Sequence, residues 1–172
     1  TLAAQQGYAN AQYNLGICYD NGHGVEKNGV EAAKWYTLAA RQGHTYAQYN
    51  LGVCYKKGKG VEKNYAEAVK WFNYAALQGD LNAHAYLGMC YYEGLGVEQD
   101  YEKAIQYLNS SAQEDDLAQL YLGLCYANGY GVEVDYITAV ELFEKDVSND
   151  NDRAYYHLDS CNDYGIGVEV DS

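Results

Sequence analysis

Five cysteines spaced almost evenly along 172 residues constrain this chain more than any other feature: Cys18, Cys54, Cys90, Cys125 and Cys161 lie 36, 36, 35 and 36 residues apart. The residues around the first four read LGICY, LGVCY, LGMCY and LGLCY, with LDSCN at the fifth. Four residues beyond each cysteine begins a second motif: GHGVE from Gly22, GKGVE from Gly58, GLGVE from Gly94, GYGVE from Gly129 and GIGVE from Gly165. The one short interval reflects a single-residue deletion near Asp116, where Asp116-Leu117 stands in place of Asp80-Leu81-Asn82. Repetition at this period marks a solenoid, in which each supersecondary unit buries its apolar face only by stacking on its neighbours.

Within one period the pattern predicts two helices joined by glycine turns. From Ala47 to Lys57, the residues Ala47, Leu51, Cys54 and Tyr55 fall at helical spacing and give a first helix, A, one buried face. Gly58 suits a left-handed C-terminal cap and Gly60 a second tight position. Asn64 is a good N-cap for the second helix, B, and Glu67 three residues on predicts a capping box, which Asn28 and Glu31 repeat. Asp100 and Asp135 keep the cap without the box. Helix B, roughly Tyr65 to Gln78, is expected to bury Ala68, Val69, Phe72, Ala75 and Ala76 before Gly79 closes it. Gly16, Gly52, Gly88 and Gly123 sit inside helix A, where each costs ~1 kcal/mol relative to alanine. The expected offset is close approach of the small Ala32, Ala68, Ala104 and Ala139 of helix B, with Trp35, Trp71, Tyr107 and Leu142 filling the space between repeats.

Chemistry is mostly excluded. The net charge of −13, from 24 acidic and 11 basic side chains, argues against affinity for nucleic acid or anionic lipid. No stretch approaches the ~20 apolar residues with which a helix crosses a bilayer. There is no SxxK, GxSxG or HExxH to supply a nucleophile or a catalytic metal. There is no CxxC, and His23, His44, His84 and His157 do not share a repeat position, so no metal or cofactor is predicted. The GxGVE turns lack the remainder of a phosphate-binding GxGxxG and the strand before it. The segment Asp146 to Asp152 is rich in oxygen ligands but lacks the glycine and glutamate of a calcium loop, and reads as a solvated turn. Single cysteines on neighbouring helices about 9 to 10 Å apart are beyond the ~7 Å reach of a disulfide. They read as small buried hydrophobes, and unpaired thiols fit a reducing, cytoplasmic compartment.

The consensus AxYxLGxCYxxGxGVExNYxxAVKWFxxAAxQG resembles the Sel1-like repeat, a relative of the tetratricopeptide repeat. The resemblance implies an all-α fold, a right-handed α-solenoid of stacked antiparallel helix pairs with a 36-residue repeat, forming one solenoid over residues 1–172. It places the end of a helix B at 1–7, repeats at about 8–43, 44–79, 80–115 and 116–150, and an incomplete repeat at 151–172, as in a fragment of a longer chain. It also implies a concave groove lined by the A helices, used for protein interaction rather than catalysis. Aligned to the tetratricopeptide pattern, the groove positions are Asn10, Tyr13, Ile17, Asp20 and Asn21 in the first repeat and Tyr46, Tyr49, Val53, Lys56 and Lys57 in the second. The third repeat offers Asn82, Ala85, Met89, Tyr92 and Glu93, the fourth Leu120, Leu124 and Ala127, and the fifth Tyr156. Tyrosine presents a rigid apolar ring with a polar tip at low entropic cost, which suits recognition.

Charge is divided unevenly. Residues 1–79 hold eight basic and five acidic side chains, whereas residues 80–172 hold three basic and nineteen acidic. The expected function is therefore a scaffold or adaptor that binds a peptide or protein in the groove. The alternative is a structural element that docks neighbouring repeats, or copies of itself, end to end through unlike poles.

Overall fold

The computed structural model describes residues 2–147, and every regular element among them is an α-helix. The elements are α1 (Leu2–Gln5), α2 (Ala9–Asn21), α3 (Gly29–Arg41), α4 (Thr45–Lys57), α5 (Tyr65–Ala76), α6 (Leu81–Glu93), α7 (Tyr101–Asn109), α8 (Asp116–Asn128) and α9 (Tyr136–Val147). The even-numbered helices are the predicted A helices, and α3, α5, α7 and α9 are the B helices. The described residues form two compact units, one of the residues up to 83 with 95–97 and the other of residues 84–94 with those from 98 onward. The fifth repeat, with Tyr156 and Cys161, lies outside the described residues, as does most of the 146–152 segment.

In the first unit α2 packs on α3, α3 on α4 and α4 on α5. Ala32, Ala33, Tyr36, Ala39 and Ala40 of α3 meet Ala47, Leu51 and Cys54 of α4 to form its core, with Tyr13, Ile17 and Trp71 packed against the edge. In the second unit Leu120 of α8 meets Ala139 and Phe143 of α9, flanked by Leu124, Tyr126 and Val140. The five residues expected to be buried on α5 are all buried.

Each hairpin is set by its caps. The helix A cysteine carbonyl receives the N–H of the glycine four residues on, at Gly22, Gly58 and Gly129, and each of these glycines is left-handed. At the start of helix B the side chains of Asn28, Asn64, Asp100 and Asp135 accept backbone N–H groups of the first turn. The predicted capping box does not form. The Asn28 and Asn64 N–H groups donate instead to the Tyr19 and Tyr55 carbonyls of helix A, at 2.9 and 3.0 Å, and Asp100 and Asp135 do the same to Tyr91 and Tyr126. With that donor taken, Glu31 and Glu67 turn outward and pair with Lys34 and Lys70.

The helix A glycine is explained differently from the expectation. What faces it is a large side chain, not a small one: a methyl at Gly16 would lie 2.6 Å from the Tyr36 ring, at Gly52 2.6 Å from Phe72, at Gly88 2.5 Å from Leu108 and at Gly123 2.6 Å from Phe143. The predicted alanines of helix B are fully buried, and at Gly88 the Ala104 carbonyl oxygen joins the contact, 3.2 Å from where a methyl would lie. Tyr107 stacks on Tyr91 of its own hairpin at 5.6 Å. Successive hairpins meet through the second turn glycine, where a methyl on Gly60 would lie 1.9 Å from the Gly29 carbonyl oxygen and one on Gly131 3.0 Å from Tyr101. Buried glutamines add a second tie. Gln48 donates to the Ala40 carbonyl at 3.2 Å and accepts from Gln78 at 2.7 Å, and Gln12 repeats the arrangement with Ala4 and Gln42.

Candidate functional site

The face presented by α2 and α4 carries the expected positions of the first unit. Asn10, Asn21, Tyr46 and Lys57 are exposed, and Tyr13, Ile17, Asp20, Tyr49, Val53 and Lys56 are half-buried. Helical spacing brings Tyr13 beneath the start of α4, where its ring stacks on His44 at 4.5 Å and lies 6.2 Å from Tyr46. His44 is held by its own capping role, since Nδ1 accepts the Ala47 N–H at 3.2 Å. Burial lowers the His44 pKa below the ordinary imidazole value and keeps that acceptor neutral. Burial likewise raises the Tyr13 hydroxyl, with Tyr46 adding to the effect and Asn50 opposing it. Tyr46 remains 60% exposed at the edge of an open cavity of about 390 Å³ lined by His44, Thr45, Gln78 and Asp80. Three expected positions are partly spent on packing: Tyr13 and Ile17 lie against the core, and Tyr49 rests 6.1 Å from Phe72. Asp20 pairs with Lys59 of the next turn at 2.5 Å.

Asn82, at the start of α6 in the first unit, is exposed. In the second unit three of the apolar positions, Ala85, Met89 and Leu120, are not available to a partner. Met89 and Leu120 are 5% and 3% exposed and Ala85 is buried, because apolar side chains at these positions complete the hydrophobic interior. Leu124 packs on the α8–α9 core, together with Ala127. Tyr92 and Glu93 do reach the surface, but as part of an aromatic cluster. Tyr92 meets Tyr121 at 5.0 Å and Tyr101 at 5.5 Å, Tyr101 stacks on Tyr130 at 4.5 Å, and the Tyr121 hydroxyl donates to Glu93. Burial pushes the Tyr92 hydroxyl up to about 12.

Sequence reasoning missed His44, Tyr101, Tyr121 and Tyr130. The available signal was positional, for His44 occupies the helix A N-cap position that Asp80 and Asp115 hold elsewhere, and Tyr130 is the variable residue of the GxG turn. Among the described residues no three His, Cys, Asp or Glu side chains converge as metal ligands. No described helix is long and apolar enough to cross a membrane.

A family model described as the Sel1 repeat matches four consecutive segments, residues 9–44, 45–80, 81–116 and 117–145. The chain belongs to the Sel1 repeat family. A Sel1 repeat protein of Oxalobacter formigenes is 38% identical, with a TM-score of 0.81 over 96% of this chain and 69% of its own. The protective antigen c5321 of uropathogenic Escherichia coli, which displays the same repeat fold, is 39% identical with a TM-score of 0.87; the match covers 98% of this chain but 36% of the antigen. Cysteine rich protein B of Helicobacter pylori, at 21% identity and a TM-score of 0.54 over 67% of this chain and 89% of its own, shares the fold. No curated protein gives a significant match. The fold is thus the all-helical Sel1 solenoid, within a superfamily that resembles tetratricopeptide repeats. Sel1 repeat proteins generally act as non-catalytic protein-interaction scaffolds.

Proposed function

We propose that this Sel1 repeat chain is a scaffold that holds a peptide or protein partner on the face formed by its A helices. One observation carries the reading: the Tyr13–His44–Tyr46 cluster, with rings 4.5 to 6.2 Å apart and Tyr46 60% exposed, borders an open cavity of the first unit. A rigid aromatic group left in water beside backbone and amide hydrogen-bonding groups has the composition of a binding hot spot. Asn10, Asn21 and Lys57 supply an exposed polar surround. Tyr92 and Glu93 make a second, acidic contact area in the other unit.

The test is affinity capture under reducing conditions, followed by titration of the purified partner against wild type and Tyr46→Ala. Because Tyr46 is exposed, the variant keeps its helicity and melting. Loss of a central aromatic anchor weakens binding by about thirtyfold, about 2 kcal/mol. A captured partner whose affinity is unchanged refutes the assignment. The division of charge between residues 1–79 and 80–172 supports a second reading, end-to-end docking of copies. Sedimentation velocity separates the two, because such docking disappears at high salt.

A further inference from the structure

The first unit holds another cavity, which shares Gly43 with the one beside Tyr46 but none of the Tyr13, His44 and Tyr46 side chains. It is open, about 480 Å³ in volume, and bounded by Thr37 and Arg41 of α3, Gln48 and Tyr55 of α4, and Trp71 and Tyr74 of α5. One wall is aromatic, with the Trp71 and Tyr74 rings 5.6 Å apart and Tyr74 46% exposed. The polar equipment is one-sided. Lys70 at the rim is paired with Glu67 at 3.3 Å, and Gln48 is engaged at both ends by Ala40 and Gln78. Two donors are left over. Arg41 is exposed and takes part in no ion pair among the described residues, while the Trp71 indole N–H is shut away from water without an acceptor. The indole of Trp35 is orphaned in the same way, but Gln5 and Leu38 stand there in place of Arg41 and Tyr74. The combination belongs to this one repeat.

A guanidinium offers a planar fork that fits a carboxylate, and an unpaired cation beside exposed aromatic surface is complemented by an acid next to an apolar group. Adjacent residues of a peptide supply both. We propose that this cavity docks an acidic peptide segment of a partner, with an aspartate or glutamate on Arg41 and a neighbouring apolar side chain against Trp71 and Tyr74. The site is independent of the A-helix face, so either assignment can fail alone.

A display library of random short peptides, selected on the whole chain and counter-selected on Arg41→Glu, tests the proposal. Selected peptides are expected to carry an acidic residue beside Phe, Leu or Trp and to change Trp71 fluorescence in a Trp35→Phe background. Arg41→Gln, whose melting is unchanged because Arg41 is exposed, weakens them by about tenfold, and Tyr46→Ala leaves them unaffected. Enrichment of basic or uncharged peptides, no selection at all, or affinity indifferent to Arg41→Gln overturns the proposal. Self-association abolished by Arg41→Glu also overturns it, because a second copy then supplies the carboxylate.

Discussion

Replacing Gly52 by alanine puts the packing of the hairpin to a quantitative test. The added methyl lies 2.6 Å from Phe72 Cε1 and 2.7 Å from Cδ1, about 1 Å inside the ~3.5–4.0 Å at which carbon atoms attract. Phe72 has no exposed surface, so its ring yields only by displacing neighbours. Overpacking of a core costs about 1–3 kcal/mol, and a clash with a confined ring belongs at the upper end of that range. Alanine returns about 1 kcal/mol of helix propensity. The expected net loss is about 2 kcal/mol.

The sign is what distinguishes this account from simple helix propensity. Phe72→Ala alone costs about 3–5 kcal/mol, but on that background the same Gly52→Ala change gains its ~1 kcal/mol unopposed. The double-mutant cycle therefore carries a coupling of about 3 kcal/mol. Urea titrations followed by far-ultraviolet circular dichroism give the four stabilities, with the slopes checked for constancy, since repeat units can unfold separately. A wild-type background stabilised by Gly52→Ala, or a cycle that closes additively, refutes the reasoning.

Gly24 and Gly60 share a φ of +72°, yet only Gly60 has a backbone neighbour where a methyl would go. Gly24→Ala is expected to cost about 1–2 kcal/mol for the left-handed backbone alone, and Gly60→Ala about 2 kcal/mol more, measured by thermal melting; equal losses contradict the stacking role. Asn64→Ala loses about 1 kcal/mol, Asn64→Asp is near neutral, and Glu67→Gln changes stability by less than about 0.5 kcal/mol because its carboxylate closes no box. The depressed His44 pKa favours the neutral ring in the folded state, so its contribution is full above the ordinary imidazole value and is lost as pH falls through the folded value. Melting across that interval is expected to drop in wild type and to stay flatter in His44→Asn, which caps without titrating; parallel curves exclude the mechanism. Alkylation of the native chain with iodoacetamide, read by mass spectrometry, is expected to label half-exposed Cys18 well before Cys54, whose burial raises its thiol to about 11.

Much of this fold is legible because the sequence says the same thing repeatedly. A single Asn64 before an apolar run is a weak signal, but Asn28, Asn64, Asp100 and Asp135 at one position make a helix start, and all four cap one. What escaped depends on tertiary competition for a group that local reasoning treats as free. The capping box fails at Asn64 because the Tyr55 carbonyl, on another helix, takes its N–H. The glycine of helix A announces close contact, but whether alanine or Phe72 supplies it follows from the crossing of two helices. The candidate site divides along the same line. Register alone predicts that Tyr13 and Tyr46 share a face, whereas Leu120 occupies the register of Tyr13, and Met89 that of Ile17 and Val53, yet both are sealed by their surroundings.

The repeated residues and the variable ones do different physical work. Cysteine, turn glycines and the Asn or Asp cap fix each hairpin through backbone hydrogen bonds and left-handed turns, contacts that depend little on neighbouring side chains. The variable residue inside the GxG turn then meets the end of the preceding A helix. Lys59 makes an ion pair with Asp20 there, whereas Tyr130 makes ring contacts with Tyr92 and Tyr101. An ion pair at the surface is screened and weak, and a stacked aromatic contact is neither. The same backbone frame thus accepts joints of opposite chemistry without altering the hairpins they join. Aromatic and charged side chains can therefore vary along the A-helix face while their spacing is held, which is the condition a recognition surface requires.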